Sequence, residues 1–338
     1  MEKRPLLEVK NLKTHFHTER GQITAVDGIT FHLNEGEIVG VVGESGCGKS
    51  VMSQSIMRLY DEKYTAKYEG EILFQGENLL NLSKAMMQKI RGNDLSMIFQ
   101  DPLSSLNPVY TIGDQIRESL MIHQNLNKRE AQQKAIEMLR LTGIPAPEKR
   151  INEYPHQLSG GMQQRVMIAI ALSCQPKLLI ADEPTTALDV TIQAQILDLI
   201  AELNAQLGMG VIFITHDLGV VAEICTRVMV MYLGQIVEET DTDCLFSEPL
   251  HPYTRGLIKS IPQLEGERLQ KLYTIDGTVP SLQKVPHGCR FASRCPYADE
   301  LCKEQAPELE AYSPTQKVRC WHYKEILKKE AVHESSNE

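Results

Sequence analysis

The sequence predicts an α/β fold with a largely parallel main sheet, because short strand-like runs alternate with helical patterns along most of the chain. Three runs are almost continuously apolar, as is typical of strands buried on both faces: 38–42, 178–181 and 211–215. Between the second and third runs, apolar residues recur at helical spacing over 192–207, and Gly208 is suited to end that helix. Strand, helix and strand in this order form the crossover unit of a parallel sheet.

Composition narrows the function classes. The chain has 338 residues, which suggests two domains or one large domain with an extension. Hydrophobic residues at 42% and charged residues at 23% exclude a disordered or collagen-like protein. The net charge of −9 argues against a dedicated nucleic-acid binder, which usually carries a basic face. No apolar run approaches the roughly 20 residues that span a bilayer, and the first residues do not resemble a signal peptide, so we expect a cytoplasmic protein, soluble or peripheral to a membrane.

The residues that follow the first apolar run match the phosphate-binding pattern G-x-x-x-x-G-K-S/T. They are Gly43, Glu44, Ser45, Gly46, Cys47, Gly48, Lys49 and Ser50. Such glycines let backbone N–H groups turn toward phosphate oxygens at the start of a helix, which is expected near Lys49. Lys49 is then expected to reach the β- and γ-phosphates of ATP, and the Ser50 hydroxyl to bind Mg²⁺. The alternative is a glycine-rich turn before an ordinary helix.

The second apolar run ends in two carboxylates, Asp182 and Glu183. Ligands bind at the carboxyl ends of parallel strands, so Asp182 is expected beside the Mg²⁺. Glu183 is placed to orient or deprotonate a water that attacks the γ-phosphate. The alternative is that both residues only open a turn into Pro184.

A third motif, Leu158-Ser-Gly-Gly-Met-Gln-Gln-Arg165, precedes an apolar helical run. With it the chain resembles the ATP-binding cassette (ABC) transporter ATPases, whose LSGGQ-like signature reads LSGGM here. The other motifs of that family follow in order: Gln100 resembles the Q-loop glutamine, Ala187-Leu188-Asp189 the D-loop, and His216 the switch histidine. Together they cover about residues 6–256.

The resemblance implies a RecA-like P-loop domain with a helical insertion at about 101–163. It implies that two cassettes pack head to tail, so that Ser159, Gly160 and Gly161 serve the ATP of the partner, and it adds Asp189 of the D-loop to the nucleotide-binding residues. It also implies catalytic roles for Glu183, His216 and Gln100, with Gln100 close to the Mg²⁺. Phe16 would stack on adenine, where family members often have Tyr; the alternative is a core residue. For His216 the alternative is a histidine that closes a buried strand.

Four further stretches resemble the ATPase subunits of bacterial oligopeptide and dipeptide importers, of the D type: 98–108, 181–195, 251–257 and 288–296. This implies a second ATPase subunit, usually a related one, two membrane permeases and an extracytoplasmic peptide-binding protein, with the chain at the cytoplasmic face of the membrane. The alternative function is that of an ATPase in a nickel or other small-solute importer of the same subfamily. A soluble cassette ATPase of DNA repair or translation is more distant, since those usually carry long coiled coils or two cassettes. A P-loop kinase is a further alternative, but such an enzyme does not need the signature motif Leu158-Ser-Gly-Gly.

The extension at 257–338 carries four cysteines, Cys289, Cys295, Cys302 and Cys320. Four thiolates suit tetrahedral Zn²⁺ or a 4Fe–4S cluster, although no C-x-x-C pair is present. The resemblance implies the iron–sulfur cluster; zinc and unliganded or disulfide-linked thiols are the alternatives, and His287 and His322 are possible competing ligands. We expect this extension to be separate from the nucleotide-binding core, so that ATP binding survives loss of the cysteines.

Overall fold

A computed structural model describes residues 4–19, 21–101, 105–185, 189–261 and 273–334, the last six by their backbone only. The strands are β1 (Leu7–Thr18), β2 (Gly21–Leu33), β3 (Ile38–Val42), β4 (Ala66–Phe74), β5 (Glu77–Asn78), β6 (Leu95–Ile98), β7 (Leu178–Asp182), β8 (Gly210–Thr215), β9 (Arg227–Tyr232), β10 (Gln235–Asp241), β11 (Glu310–Ala311) and β12 (Lys317–Val318). The helices are α1 (Lys49–Ile56), α2 (Lys84–Ile90), α3 (Ile112–Gln124), α4 (Lys128–Leu141), α5 (Pro147–Arg150), α6 (Gly160–Leu172), α7 (Val190–Leu207), α8 (Leu218–Ile224), α9 (Thr242–Ser247), α10 (Pro252–Lys259), α11 (Glu300–Glu304) and α12 (Tyr323–Glu334).

Over these ranges the strands form two sheets. An antiparallel sheet has the order β2-β1-β4-β5, and a larger sheet has the order β11-β12-β10-β9-β3-β8-β7-β6. The five strands from β9 to β6 are parallel, which confirms the predicted α/β class, and β3, β7 and β8 occupy the three apolar runs. The sequence does not predict the antiparallel sheet. Because β6, β7 and β8 are neighbours, the residues that follow each of them meet at one edge of the sheet.

The parallel strands are buried on both faces and separate two layers of hydrophobic core. Val39 and Ile180 pack in the layer between the two sheets, together with Met52 of α1. Leu179 and Phe213 pack in the opposite layer, against α6, α7 and the helical insertion. This two-sided burial holds the ends of the strands, and the loops attached to them, in fixed positions.

Between β6 and β7 the chain forms a helical insertion, as predicted. Its two main helices, α3 and α4, differ by at most one residue from the predicted spans 111–123 and 128–141. Thr111 caps α3 by accepting a hydrogen bond from the Asp114 N–H at 3.1 Å. Asn127 and Glu130 form a capping box at the start of α4. The insertion connects two adjacent strands and therefore leaves the sheet order undisturbed.

The cysteine-bearing extension packs onto the α/β core, so the prediction of a separate core is wrong. Phe291 is 2% exposed, and its ring centroid lies 5.3 Å from that of Tyr232 and 5.4 Å from that of Tyr253. Strand β12 pairs with β10, and Arg319 N–H donates to the Val237 carbonyl oxygen at 2.8 Å. The extension lacks a periodic apolar pattern, so these long-range contacts leave little trace in its sequence.

Candidate functional site

The loop between β3 and α1, together with the start of α1, contains residues 43–50, for which the sequence predicts a phosphate cradle. Gly43 (φ 152°) and Gly48 (φ 103°) adopt backbone conformations that other residues rarely reach. A β-carbon at Gly43 would lie 2.2 Å from the carbonyl oxygen of Met231, and one at Gly48 would lie 2.7 Å from that of Ala25. Ser45 and Gly46 are exposed, while Cys47 is buried beneath them. The loop is therefore closely seated on the core, and its outer part faces solvent.

Lys49 directs its ammonium group back into this loop. The residue is 5% exposed, and Nζ donates hydrogen bonds to the carbonyl oxygens of Gly43 at 2.7 Å and Glu44 at 3.2 Å. Both acceptors are neutral, so anionic phosphate oxygens would be stronger partners for the same cation. The arrangement can therefore bind phosphate without a large movement of the lysine.

Ser50 and Asp182 bring two side-chain oxygen groups together, at the start of α1 and the end of β7. The Ser50 hydroxyl donates to Asp182 Oδ1 at 3.2 Å, and the Ser53 hydroxyl lies 3.5 Å from Oδ2. Burial raises the pKa of Asp182 above its ordinary value, and the neighbouring Glu183 carboxylate adds to this effect. Hard oxygen donors of this type suit Mg²⁺, whose charge would favour the ionised carboxylate.

Three candidate catalytic residues meet at one oxygen atom. Gln100 Nε2 donates to Glu183 Oε2 at 3.0 Å, and His216 Nδ1 lies 3.4 Å from the same oxygen. Glu183 has a left-handed backbone (φ 47°), and its N–H donates to the Ile214 carbonyl oxygen at 2.9 Å. The three residues follow the adjacent strands β6, β7 and β8, so the strand order itself produces the convergence. Such a carboxylate can accept a proton from, or orient, a water molecule at the edge of the phosphate loop.

Phe16 lies on β1 and is half-buried. Its ring makes an edge-to-face contact with Tyr60, at a centroid distance of 4.8 Å. Burial, and to a smaller extent the nearby Asp182 carboxylate, raises the pKa of Tyr60 to about 12. Tyr60 is absent from the sequence-based candidates, and it is the aromatic partner of Phe16 in the structure.

The signature residues lie at the start of α6, with Ser159 as the N-cap residue. Space around Gly160 is open, since a β-carbon there would meet no heavy atom within 4 Å. Gly161 packs against Ile192 of α7, and Asp189 caps that helix by accepting from the Ile192 N–H at 3.0 Å. Ala187 and Leu188 of the predicted D-loop lie outside the described residues. Among the residues that the structure describes, Ser159, Gly160 and Gly161 make no hydrogen bond to the phosphate loop.

Two side chains that contact the phosphate loop are absent from the sequence-based candidates. Tyr253 accepts a hydrogen bond from the Glu44 N–H at 2.8 Å. Arg294 forms a two-pronged ion pair with the Glu44 carboxylate, at 2.6 and 3.0 Å. Both residues lie in stretches that resemble peptide-importer subunits, and this resemblance was the only indication in the sequence that they could matter. Their distance along the chain from Glu44 gives no sign of a contact with that residue.

The four extension cysteines lie in one small region and form no disulfide in the described chain. Cys289 N–H donates to the Cys302 carbonyl oxygen at 2.7 Å. Burial raises the pKa of Cys295 to about 11 and that of Cys320 to about 12, and the neighbouring thiols of the group contribute. Among the described residues, the ligand atoms that lie within 4.8 Å of one another as a group belong to Asp299, Cys302 and His322.

None of the helices in the described ranges combines the length and apolar character needed to cross a bilayer.

Comparison with known families matches two regions of the chain. Residues 26–186 match the family described as ABC transporter, and residues 237–302 match the family described as oligopeptide/dipeptide transporter, C-terminal region. The first region contains the phosphate loop, Gln100 and Glu183, and the second contains Tyr253, Arg294 and three of the four cysteines.

Curated relatives cover nearly the whole chain. The probable peptide ABC transporter ATP-binding protein y4tR of Sinorhizobium fredii is 53% identical over 95% of this chain and 96% of its own length. The oligopeptide transport ATP-binding protein AppD of Bacillus subtilis is 53% identical over 95% of this chain and 97% of its own length. The oligopeptide transport ATP-binding protein OppD of Bacillus subtilis is 52% identical over 94% of this chain and 88% of its own length.

Solved structures share the cassette fold. The dimeric structure of MJ0796, a bacterial ABC transporter cassette, superposes with a TM-score of 0.63 at 30% identity, over 70% of this chain and 98% of that one. The structure of cbiO1 from Clostridium perfringens, part of a cbiONQ ABC transporter complex, has a TM-score of 0.62 at 28% identity, over 73% of this chain and 92% of that one.

Proposed function

This chain belongs to the ABC transporter family as an ATP-hydrolysing subunit, and we propose that it powers the import of oligopeptides or dipeptides through separate membrane permeases. The observation that carries the proposal is the convergence of Gln100 and His216 on Glu183, next to the Ser50–Asp182 pair. A binding-only protein would have no need of a carboxylate held by two neighbours beside a phosphate cradle. The names of the relatives support peptides as the solute.

In the proposed mechanism the loop 43–50 binds the phosphates of ATP, and Lys49 exchanges its carbonyl partners for phosphate oxygens. Ser50 and Asp182 would hold Mg²⁺, aided by Gln100, and the ion would offset the charge of the phosphates when bound. Glu183 orients the attacking water and accepts its proton, while His216 and Gln100 keep the carboxylate in place. Phe16 would stack on the adenine.

We propose that ATP is bound between two cassettes, with Ser159, Gly160, Gly161 and Asp189 acting on the nucleotide of the partner. The open space at Gly160 supports this, because a partner's phosphate could approach the start of α6 without a clash. MJ0796, the similar cassette, is described as dimeric. The partner of this chain would be a second ATPase subunit, and a related hetero-partner is our proposal.

The permeases would dock on the helical insertion, which places the chain at the cytoplasmic face of the membrane. An apolar groove next to Gln100 supports this assignment. It is lined by Met97, Phe99, Leu106, Met167 and Ile170, and Phe99 is 38% exposed. Gln100 directly follows Phe99 of the groove and also contacts Glu183, so a docked permease helix could sense the state of the ATP site. The peptide-binding protein would act through the permeases on the outer side.

Uptake by the assembled transporter tests this function. We expect proteoliposomes that contain the chain, its permeases and its binding protein to accumulate labelled trialanine but not labelled nickel. Asp101→Lys, next to Gln100, should lower trialanine uptake about tenfold while the isolated chain still binds ATP, because the change affects the docking surface. The control is Glu137→Lys, which reverses an exposed carboxylate on α4 of the same insertion. Nickel uptake in place of peptide, or equal loss of ATP binding in the Asp101 variant, would contradict the proposal.

We further propose that residues 6–256 form the cassette and residues 257–338 the extension. In this proposal the extension holds a 4Fe–4S cluster on Cys289, Cys295, Cys302 and Cys320. The donor set fits, since four thiols without a disulfide share one region. When bound, the cluster would cross-link the extension, a structural role.

Metal analysis tests the cluster. We expect anaerobically purified protein to be brown and to contain about four iron and four sulfide per chain. Cys295→Ser should bleach it and make the extension sensitive to protease, because serine is a poor ligand for iron. Cys244→Ser, which changes a thiol outside the group, should leave the colour unchanged. Stoichiometric zinc would favour the alternative metal, and protein with neither metal would reject both.

A further inference from the structure

The cysteine-bearing segment reaches into the nucleotide site through Arg294. This residue directly precedes Cys295, yet its guanidinium pairs with Glu44, the second residue of the phosphate loop. The two hydrogen bonds, at 2.6 and 3.0 Å, engage both carboxylate oxygens in the fork geometry that only arginine provides. The Arg294 side chain is 4% exposed and that of Glu44 is 30% exposed, so solvent screens the pair only in part.

Other contacts fix the guanidinium in this position. Arg294 Nε donates to the carbonyl oxygen of Asp276 at 2.9 Å, and Nη1 lies 3.4 Å from the Tyr232 hydroxyl. The group also lies over the rings of Tyr232 and Phe291, 5.9 Å from each centroid. These contacts hold the guanidinium on several sides, and Glu44 is the more exposed partner of the pair.

A second arginine of the same segment is linked to the other side of the loop through intervening residues. Arg290, which follows Cys289, hydrogen-bonds to the Asp27 carboxylate and to the Leu233 carbonyl oxygen. Gly234, which follows Leu233 in the chain, donates its backbone N–H to the carbonyl oxygen of Cys47 in the phosphate loop, at 2.7 Å. The segment 289–295 thus contacts the loop directly at Glu44 and indirectly at Cys47.

We propose that Arg294 is a positioning residue for ATP, which holds and neutralises Glu44 so that the cysteine segment sets the nucleotide affinity of the chain. A carboxylate in the second position of a phosphate loop repels the phosphates unless a cation offsets it. Arg294 supplies that cation from outside the loop and keeps Glu44 turned away from the ligand. The inference deepens the proposed nucleotide site and depends on it.

The test compares the affinity of variants for the non-hydrolysable analogue AMP-PNP with Mg²⁺, using the full chain purified anaerobically. Arg294→Met retains the aliphatic stem and should weaken binding about tenfold, because Glu44 becomes an unpaired charge. Arg294→Lys keeps the charge without the fork and should be intermediate. In the double variant Arg294→Met/Glu44→Gln, binding should recover to within about threefold of wild type, since the repelling charge is gone.

A purely structural role for Arg294 would not give this recovery, because removal of a second partner cannot restore lost packing. The matched control is Arg319→Met, which removes an arginine next to Cys320. Arg319 donates to the carbonyl oxygens of Ile236 and Pro307 and is not hydrogen-bonded to the phosphate loop, so this variant should bind AMP-PNP normally. In wild type the nucleotide should also slow hydrogen exchange over 289–295, and Arg294→Met should abolish that protection, because coupling between two sites is reciprocal.

The Lys49 and Arg294 variants together distinguish a failure of the Arg294 role from a failure of the proposed nucleotide site. Loss of binding in Lys49→Ala combined with normal binding in Arg294→Met would overturn the role of Arg294 alone. Equal binding in wild type and Lys49→Ala would reject the nucleotide site itself. A double variant that binds no better than Arg294→Met would also overturn the inference, since the arginine would then act only through packing.

Discussion

Replacing Glu183 by Gln is expected to reduce ATP hydrolysis by about a hundredfold or more while ATP binding remains close to that of wild type. The amide retains the shape of the side chain and can still contact Gln100 and His216, but it cannot accept the proton of the attacking water. The phosphate cradle and the Ser50–Asp182 pair are untouched. The ATP-bound closed dimer should then accumulate. Steady-state phosphate release and a nucleotide titration measure the two effects.

Glu202→Gln is the matched control for this variant, since it neutralises an exposed carboxylate on α7. It should leave hydrolysis unchanged. Turnover near the wild-type rate in Glu183→Gln would remove this residue from the catalytic role. A parallel loss of ATP binding would show that the substitution had disturbed the cradle.

Lys49→Ala should instead weaken ATP binding, with a dissociation constant raised about a hundredfold. The ammonium is buried within the loop and already lies 2.7 Å from a loop oxygen, so the phosphates gain a positioned cation at little cost of rearrangement. Removal of the cation also leaves the Gly43 and Glu44 carbonyl groups without this donor. A titration with AMP-PNP measures the affinity.

Lys84→Ala, which removes an exposed lysine at the start of α2, controls for the general loss of positive charge. Normal AMP-PNP affinity in Lys49→Ala would contradict the phosphate contact. Thermal unfolding of both variants should show whether the loop has collapsed, because a folded Lys49→Ala chain that cannot bind nucleotide isolates the electrostatic effect.

Some of these features could be predicted from the sequence because local rules dictate them. β3, β7 and β8 are buried on both faces, which requires unbroken apolar runs. The loop needs glycine at Gly43 and Gly48 because a β-carbon there would collide with backbone oxygens. Parallel strand order then brings Gln100, Glu183 and His216 together, so the motifs alone were sufficient to choose these candidates.

Other features depend on contacts between distant residues, which no local pattern records. Arg294 and Glu44 are 250 positions apart, and neither residue type is unusual in its own segment. The antiparallel sheet was also missed, because β1 contains register shifts that interrupt its alternation of buried and exposed residues. Phe291 lies among prolines and cysteines without periodicity, so its place in the core could not be inferred.

The pairing of β12 with β10 has a consequence for how the protein can be divided. Strand β10 offers its outer edge to Val318 and Lys317 of the extension. An unpaired edge of this kind is a template for association with other chains. Cutting the chain after residue 256 would therefore expose hydrogen-bonding groups that the intact molecule covers, and the shortened product would be prone to self-association. The catalytic portion and its appendage are one folding unit in this sense, and an active fragment would need a different strand to cap that edge.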